Sequence, residues 1–529
     1  MDGACLRYTE LPGTSRLFAD YLYDFPKVAR FYRHAPGKQS GFQSSLAAID
    51  YPRERRAQII AALRPNNPSS KNLDRLAEDG TVAVVTGQQV GLFTGPAYTV
   101  FKAATAAAVA RQLTADGIPA VPVFWLATED HDFPEVAAAH VFDVEGSIHT
   151  FHVATAGESD RPVGRIVPDN GFPLAELEAA LSGFPFADDV MALVREAHAA
   201  SDQSMGGVFL ETLRRLLAPL DLIFLDPLEP AIRAIGAEFL ANAARQAPAL
   251  YPKLIERGAE LVAAGYHAQV HVEADTSLFF LLEDGHRVPL KRTKEGGYKS
   301  KNGRFSDADL AARAASISPN ALLRPVLQDF LLPTIAYVGG PAELAYFAQS
   351  EVLYEGLLGR MPVMLPRNGF TFLDARSQKL LNRYHLTLPG ALVRAEALRE
   401  TIAAQLVPAD VRALLDQTKS EATALLDRLD AGLSAFDPSL SRVTEKSKAR
   451  MLHQLTRTVH KAEYEALRRD QRATAEASHL SNLLFPHGHL QERYFSVLPF
   501  LAKYGMELVD TVIQHSCIDC VDHHVLHLP

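Results

Sequence analysis

The feature that most constrains the fold of this chain is a strand, a glycine-rich turn, a helix and a second strand in close succession. Residues 81–86 are dominated by apolar and β-branched side chains, as in a buried parallel strand. Residues 87–95 form the turn, Pro96 suits the first turn of a helix that runs to about Ala115, and residues 121–127 make the next strand. This order predicts a βαβ unit.

Strands and helices continue to alternate after this unit. We expect strands at 221–227, 333–338 and 362–366, and helices at 173–217, 230–264 and 343–353. Between them we expect a strand pair at 269–272 and 277–283, a basic polar loop at 291–304, and a helix that opens at 318–320. The alternation predicts an α/β fold, a doubly wound parallel sheet with an inserted lobe.

The composition changes at residues 408–475, which are rich in Ala, Leu, Glu, Lys and Arg. Two stretches with helical spacing flank a turn at residues 436–439, and their apolar seams are Val411, Leu414, Thr418, Ala422, Leu425, Leu429 and Leu433 in the first, and Leu452, Leu455, Val459, Ala462 and Ala466 in the second. Two long helices joined by a short turn form an antiparallel coiled-coil hairpin. Its outer faces need a partner, so we expect a dimer arm or a docking arm.

Bulk properties narrow the class of protein. A chain of 529 residues exceeds one hydrophobic core, so two or three structural units are expected. The formal net charge of -9, without a basic stripe, predicts no nucleic-acid partner. Residues 1–10 lack the pattern of a signal peptide, and no uninterrupted apolar run has the length of a membrane helix. Three cysteines cannot form a disulfide framework, which favours a reduced cytoplasm.

The glycine-rich turn is the first candidate site. Backbone N–H groups between a parallel strand and a helix bind phosphate or carboxylate at the positive end of the helix dipole. Lys102 stands further along the same predicted helix. The turn has neither the Gly-Lys-Ser/Thr of a Walker loop nor the spacing of a dinucleotide fingerprint. Turn geometry alone explains the glycines equally well, so both interpretations stay open here.

Glu129, Asp130, His131 and Asp132 are the second candidate site. They follow the strand at 121–127, and ligands of open α/β sheets bind beyond the carboxyl ends of the strands. Such a run can bind an amine, hold a divalent cation or supply general acid and base groups. A solvated acidic loop is the structural alternative. We favour a functional site, because the neighbouring predicted strand leads into the glycine-rich turn.

Two further candidates are weaker. Arg324 and Gln328 are four residues apart and share one helix face with Asp329 nearby, and the glycine turn at 339–343 again follows a strand. Near the C-terminus, Cys517 and Cys520 have C-x-x-C spacing and are candidate metal ligands together with His523. The histidine follows the cysteines too closely for the usual zinc spacing, so we expect no metal.

Several strings in this sequence resemble the bacillithiol-biosynthesis cysteine-adding enzymes, a family also described as cysteine ligases. The resemblance covers essentially the whole chain, and the Gln-Gln pair and the Glu-Asp-His-Asp run are unusual enough to make it specific. The matching strings are residues 11–12, 20–22, 86–92, 95–99 with Lys102, 122–125, 129–132, 266–270, 318–320, 323–325, 339–343 and 490–493.

The resemblance implies a Rossmann-like core with connecting-peptide insertions and a helical coiled-coil domain that makes a homodimer. It also implies a ligase that forms a carbon–nitrogen bond, adding L-cysteine to glucosaminyl malate in the last step of bacillithiol biosynthesis. The expected domains are the first part of the core at 1–140, core strands with inserted connecting-peptide lobes at 141–315, the second part of the core at 316–390, the coiled-coil dimerisation domain at 391–480, and a C-terminal segment that packs back on the core at 481–529.

On this hypothesis an adenine nucleotide, ATP or ADP, is the candidate co-substrate at the glycine-rich turn, where Lys102 and the helix N-terminus offset phosphate charge. One carboxylate of the acidic run binds the cysteine ammonium, His131 is the base for the glucosamine amine, and Arg324 or Lys291 holds the malate carboxylates. The catalytic candidates are Glu129, Asp130, His131 and Asp132. The substrate- and nucleotide-binding candidates are Gln88, Gln89, Gly91, Thr94, Gly95, Tyr98, Lys102, Trp125, Asn320, Arg324, Gly340 and Glu343.

Two other classes of protein remain open from the residues alone. A glycine turn and an acidic cluster do not name a substrate, so a nucleotide-binding transferase or ligase with a different amine acceptor is one alternative. A non-catalytic scaffold that uses its coiled coil to gather the enzymes of a thiol-biosynthesis pathway is the other.

Overall fold

A computed structural model describes residues 3–155 and 160–529 of the chain. The strands are β1 (Gly3–Leu6), β2 (Val82–Gln89), β3 (Ala120–Ala127), β4 (Ala138–Phe142), β5 (Ile148–His152), β6 (Ile223–Leu225), β7 (Phe279–Glu283), β8 (His286–Pro289), β9 (Lys291–Arg292), β10 (Tyr298–Ser300), β11 (Gly303–Phe305), β12 (Ile317–Pro319), β13 (Thr334–Gly339), β14 (Val363–Pro366), β15 (Phe370–Asp374) and β16 (His523–Leu528).

The α-helices of the described residues are α1 (Arg16–Tyr23), α2 (Gln39–Ala47), α3 (Arg53–Leu63), α4 (Lys71–Leu76), α5 (Tyr98–Ala115), α6 (Phe133–Val136), α7 (Leu174–Leu181), α8 (Ala187–Ala200), α9 (Met205–Leu216), α10 (Pro230–Ala263), α11 (Asp307–Ala312), α12 (Arg324–Leu331), α13 (Pro341–Leu357), α14 (Ala375–Arg383), α15 (Leu388–Ala391), α16 (Ala395–Leu406), α17 (Ala409–Phe436), α18 (Ser441–Arg469), α19 (Gln471–Leu484), α20 (Gln491–Tyr494), α21 (Leu498–Tyr504) and α22 (Leu508–His515). Among them, no helix combines the length and the apolar character needed to cross a membrane.

The chain divides into two units. The first takes in Met1–Val144, Ile148–Thr371 and Glu492–Leu526, as far as these residues are described. The second takes in Glu145–Ser147, Phe372–Gln491 and His527–Pro529.

A five-stranded parallel sheet forms the centre of the first unit, in the order β14-β13-β2-β3-β6. The first of these strands in the chain, β2, lies in the middle, with β3 on one side and β13 on the other. The strand order therefore reverses between β2 and β13, and in doubly wound sheets a ligand crevice opens at that point. The predicted Rossmann-like doubly wound fold is confirmed.

One face of this sheet packs against α5 and α2. Val82 and Val84 alternate along β2 towards that face and join an apolar cluster with Ala106 and Val109 of α5 and Phe42 of α2. The small alanine side chains of α5 allow its backbone to lie close to the sheet. These contacts fix the position of β2, whose last residues reach the crevice.

The glycine-rich turn is shorter than the sequence predicts. Strand β2 continues through Gln89, which pairs with Ala127, and α5 begins at Tyr98 rather than at Pro96. Gly87 is therefore a strand residue: a Cβ there would lie 2.8 Å from the carbonyl oxygen of Trp125 on β3. Close approach of two strands, rather than an anion, explains this glycine.

Three predictions for the inserted region are wrong. Residues 269–272 form no strand, because the side chain of Gln349 satisfies the backbone of Val270 by accepting from its N–H (2.8 Å) and donating to its carbonyl (2.7 Å). The expected basic loop at 291–304 is instead the antiparallel sheet β9-β10-β11, in which Tyr298 and Phe305 are buried. Residues 318–320 end β12 rather than open a helix, and α12 begins at Arg324.

In the second unit, α17 and α18 form the predicted antiparallel hairpin, with the turn at Asp437. However, the predicted apolar seam of α17 is not buried within the hairpin. Its Leu414, Leu425 and Leu429 are 63%, 59% and 51% exposed, whereas Leu426 is buried. The apolar stripe of α17 thus faces solvent in the single chain.

Candidate active site

A cavity of about 620 Å³ lies at the carboxyl ends of β2, β3 and β13, at the reversal of strand order. The sequence-predicted residues that line it are Gln88, Gln89, Tyr98, Lys102, Trp125, Glu129, Asp130, Asn320, Arg324, Gly340 and Glu343. Helix α13 presents its N-terminus there, since Gly340, Pro341 and Ala342 are part of the wall.

Lys102 is buried, and each of its three ammonium protons has an acceptor. Its Nζ donates to the carbonyl of Gly87 (2.9 Å) and to Oε1 of Gln88 (3.0 Å), and it forms an ion pair with Glu343 (2.6 Å). Burial lowers the pKa of Lys102. Because an ammonium group has only three donors, Lys102 holds the end of β2 against α13 and has no proton left for a phosphate, contrary to the expected role.

Glu343 closes the N-terminus of α13. Its Oε2 accepts from the N–H of Gly340 (2.7 Å) and its Oε1 from the hydroxyl of Tyr337 (2.7 Å). Burial by itself raises the pKa of Glu343, but the Lys102 ammonium and these hydrogen bonds outweigh it, so the pKa lies below its usual value. The carboxylate is therefore ionised, and its charge is matched by Lys102.

Arg324 lies partly buried in the cavity wall and has no carboxylate partner among the described residues. Its guanidinium donates to Oε1 of Gln328 (3.1 Å) and to the hydroxyls of Tyr337 (3.3 Å) and Tyr346 (3.2 Å). It also lies 5.6 Å from the ring of Trp125. A guanidinium held by neutral partners beside a cavity favours a carboxylate or phosphate as its ligand.

The other cavity arginines are paired or lie at the rim. Buried Arg367 forms a two-point ion pair with buried Glu492, with Nη1–Oε2 and Nη2–Oε1 distances of 2.9 and 2.5 Å. Arg493 is exposed and lies 5.8 Å from the ring of Tyr98. Arg324 is thus the cavity arginine whose charge is enclosed yet unmatched by an ion pair in the described part of the chain.

Asp130 is the acidic-run residue whose partly exposed carboxylate lies in the cavity wall. Gln89 donates to its Oδ2 (2.5 Å), the N–H of His131 donates to its Oδ1 (2.7 Å), and Arg287 lies 3.6 Å from Oδ1. Burial raises the pKa of Asp130, but these partners reverse the effect and hold it below its usual value. An ionised carboxylate in this position suits an ammonium group.

Glu129 lines the cavity, but its carboxylate already has an ion-pair partner. It is buried and forms an ion pair with Arg233 of α10, whose guanidinium also donates to the carbonyl of Ile317 (2.9 Å). Burial raises the pKa of Glu129 despite this pairing. The contact ties the end of β3 to α10, so we assign Glu129 a supporting place rather than a ligand contact.

His131 and Asp132 are not part of the cavity wall. Nδ1 of His131 accepts from Nη1 of Arg287 (2.9 Å), and burial together with that arginine lowers the pKa of His131. With Nδ1 occupied as an acceptor, the neutral ring carries its proton on Nε2, so it is not a base. Asp132 is exposed at the start of α6. The expected catalytic roles of these two residues do not agree with the geometry.

Four other candidates also lie away from the cavity. Gly91 and Gly95 approach each other inside the turn, where a Cβ on Gly91 would lie 2.9 Å from Cα of Gly95. Thr94 is buried, and its hydroxyl oxygen lies 3.3 Å from the hydroxyl oxygen of Ser496. Lys291 is exposed, 3.6 Å from Asp275. The glycines shape the turn, and Lys291 lies outside the cavity wall.

The C-terminal metal candidates are only partly brought together. Cys520 lies in a cluster with Cys5 and His524, whereas buried His523 points elsewhere and shares a hydrogen bond with Thr371 (2.8 Å). Alternation along β16 explains the exchange of histidines, because neighbouring strand residues face opposite sides.

Sequence reasoning missed several wall residues, chiefly Arg287, Tyr337, Tyr346, Arg367 and Arg493. Arg367 could have been recognised from the sequence as a site residue, since it directly follows β14 and so stands at the carboxyl end of a strand. No sequence pattern marks Arg287 as a site residue, because it lies in a hairpin of the inserted region.

Comparison with known proteins gives concordant matches over nearly the whole chain. Residues 1–368 match the bacillithiol biosynthesis BshC N-terminal Rossmann-like domain, and residues 370–528 match the BshC C-terminal coiled-coil domain. The chain is 47% identical over 526 residues to a Solibacter usitatus protein named "Putative cysteine ligase BshC", with 99% of this chain and 100% of that protein covered. Proteins of the same name from Koribacter versatilis and Salinibacter ruber are 35% and 30% identical, with 99% and 96% of each chain covered.

Proposed function

The chain belongs to the BshC family of bacillithiol biosynthesis, and on that premise we propose that it is a ligase that joins L-cysteine to glucosaminyl malate through an amide bond. The carboxyl carbon of cysteine bonds to the glucosamine nitrogen, which loses a proton, and one carboxylate oxygen leaves. That oxygen is a poor leaving group in water, so the carboxylate has to be activated first.

The observation that supports this proposal is that one cavity wall holds both a guanidinium without a carboxylate partner in the described chain and a partly exposed carboxylate. Arg324 offers a guanidinium without a carboxylate partner in the described chain, and Asp130 offers an ionised carboxylate. Cysteine is a zwitterion, and malate adds two carboxylates. We assign a substrate carboxylate to Arg324 and a substrate ammonium to Asp130, oriented by Gln89.

We also propose an adenine nucleotide, ATP, as the activating co-substrate. A carboxylate oxygen would attack a phosphorus atom of ATP as a phosphoanhydride bond breaks, and that oxygen would then leave as part of a phosphate group when the amine attacks. The N-terminus of α13 supports this. Glu343 accepts from the N–H of Gly340, and Pro341 has no N–H. Ala342 is the next helix residue and stands in the cavity wall, and its N–H has no acceptor within the helix. Exposed Arg493 at the rim would meet further phosphate charge. Lys102 and the Gly87–Gly95 turn take no part in this assignment.

The test is a three-component reaction with purified protein. Glucosaminyl malate, cysteine and ATP are incubated together, and bacillithiol is detected by mass spectrometry alongside ATP consumption. Product that requires all three supports the proposal. Product without ATP refutes the activation step, and nucleotide turnover with another amine acceptor identifies a different ligase. Arg324→Gln should lower product formation about 100-fold, whereas Arg313→Gln, at an exposed arginine paired with Glu283, should leave it unchanged.

We further propose a homodimer formed through the apolar stripe of α17. Leu414, Leu425 and Leu429 fall on one helix face and are more than half exposed in the single chain. Leu425→Glu should convert the dimer into a monomer in light scattering after size exclusion. Ser420→Glu, on the opposite face of α17, is the matched control and should leave the mass unchanged.

A further inference from the structure

The N-terminal and C-terminal segments of the first unit bring thiols and an imidazole together. Strands β1 and β16 pair antiparallel, with Cys5 directly opposite His524. Sγ of Cys5 lies 3.6 Å from Sγ of Cys520 and 3.8 Å from Nδ1 of His524, and the three ligand atoms all lie within 4.8 Å of one another. Residues 515 positions apart in sequence therefore meet through soft donor atoms.

The loop from Cys517 to Cys520 is shaped around its sulfurs. The N–H groups of Asp519 and Cys520 hydrogen-bond to the sulfur of Cys517, and that of Asp522 hydrogen-bonds to the sulfur of Cys520. The two sulfurs thus lie among the backbone N–H groups of their own loop.

Asn368 holds this loop at both ends. Its buried side chain accepts from the N–H of Cys517 (3.1 Å) and donates to the carbonyl of Cys520 (3.1 Å), and its Oδ1 also lies 3.3 Å from the hydroxyl of Thr105. Such bonds orient ligand residues in metal sites before the metal arrives. The side chain of Asn368 therefore fixes the conformation of the loop.

The distances match the edges of a tetrahedral zinc centre. Zinc–sulfur bonds of about 2.3 Å and zinc–nitrogen bonds of about 2.0 Å give tetrahedral edges of about 3.8 Å between two sulfurs and about 3.5 Å between sulfur and nitrogen. The corresponding distances here are 3.6 and 3.8 Å. We propose that Cys5, Cys520 and His524 bind one structural zinc ion that joins β1 to the C-terminal segment.

The position of this zinc site in the fold indicates a structural role. It would fasten the two chain ends of the first unit to each other. Asn368, which holds the loop, directly follows Arg367 of the cavity wall. None of the three ligands lines the cavity, so the ion stabilises structure and takes no part in the reaction.

The experiment uses full-length protein without a histidine tag, purified under reducing conditions and dialysed against metal-free buffer. Metal is counted by mass spectrometry, and we expect one zinc per chain. The thiols of Cys5 and Cys520 should react with maleimide only after a strong chelator has removed the metal, and the melting temperature should fall with that removal. Cobalt exchanged into the site should give thiolate charge-transfer bands in the near ultraviolet and tetrahedral bands in the visible.

Variants separate ligands from neighbours. Cys520→Ser and His524→Ala should reduce bound zinc to background, while His527→Gln, further along the same strand, should keep it. Because the loss variants can unfold, His524→Cys gives a positive readout: it should retain metal and intensify the cobalt–thiolate bands. Unchanged cobalt spectra in that variant would overturn the assignment of His524.

Two results on the wild-type protein would overturn the site as a whole. One is a metal-free protein whose thiols react at once with maleimide. The other is a metal-free protein two hydrogens lighter without reductant, with Cys5 and Cys520 cross-linked in the peptide map, because the pair would then be a disulfide. Neither result bears on the ligase reaction, which is measured separately.

Discussion

Arg324 and Arg367 stand in the same cavity wall, yet replacing each by methionine should have opposite consequences. Arg367 is matched by Glu492 at two points, whereas Arg324 has only neutral partners among the described residues. Methionine keeps much of the aliphatic stem and removes the charge. Arg324→Met should therefore affect activity, and Arg367→Met should affect stability.

The magnitudes follow from the contacts. Removing Arg367 leaves the Glu492 carboxylate buried without a counter-charge, which costs about 3–5 kcal/mol of folding free energy. Arg324→Met loses three hydrogen bonds to neutral groups but also removes an unmatched cation, so we expect a net change within about 1 kcal/mol. If Arg324 binds a substrate carboxylate through two charged hydrogen bonds, its loss costs about 3 kcal/mol or more, a factor of about 100 in kcat/KM.

Thermal melting and steady-state kinetics on both variants test this reasoning. We expect Arg324→Met to melt within a few degrees of wild type, with kcat/KM for the carboxylate substrate strongly reduced. Arg367→Met should melt well below wild type. A large loss of stability in Arg324→Met would refute the view that this guanidinium is unmatched in the free protein. Full activity in a folded Arg324→Met would refute its place in substrate binding.

Three further predictions concern charged groups. Asp130→Asn should lower kcat/KM about 100-fold, as expected for loss of a charged contact to substrate, while Asp132→Asn should remain active; equal losses in steady-state assays would contradict the assignment. Lys102→Met should destabilise the fold by about 3 kcal/mol in denaturant titration, and adding Glu343→Gln should recover part of that loss. Burial raises the pKa of Glu476, but hydrogen bonds from Tyr384, Arg383 and Arg472 lower it from 4.5 to about 2; its stabilising effect should be present above about pH 4.5 and disappear as the pH falls towards 2, and Glu476→Gln should remove this acid dependence in pH-resolved unfolding.

Local patterns predicted a large part of the architecture. Buried parallel strands are short apolar runs, and long amphipathic helices repeat at helical spacing, so β2, β3, β13 and the hairpin of α17 and α18 were readable from neighbouring residues alone. The failures occurred where distant side chains replace local pairing. Gln349 satisfies the backbone of Val270 from another helix, and no local pattern around residues 269–272 records that contact.

The candidate site divides in the same way. The sequence by itself placed Gln88, Asp130 and Glu343 at the carboxyl ends of strands, because strand ends and the turns after them are local features. Only the tertiary structure decided that Lys102 forms an ion pair with Glu343. It also decided that His131 accepts a hydrogen bond from Arg287, and that Cys5 pairs with His524 across two strands. Each of these outcomes depends on which residue of a distant segment supplies the opposite charge, proton or ligand atom, and packing of the whole fold determines that choice.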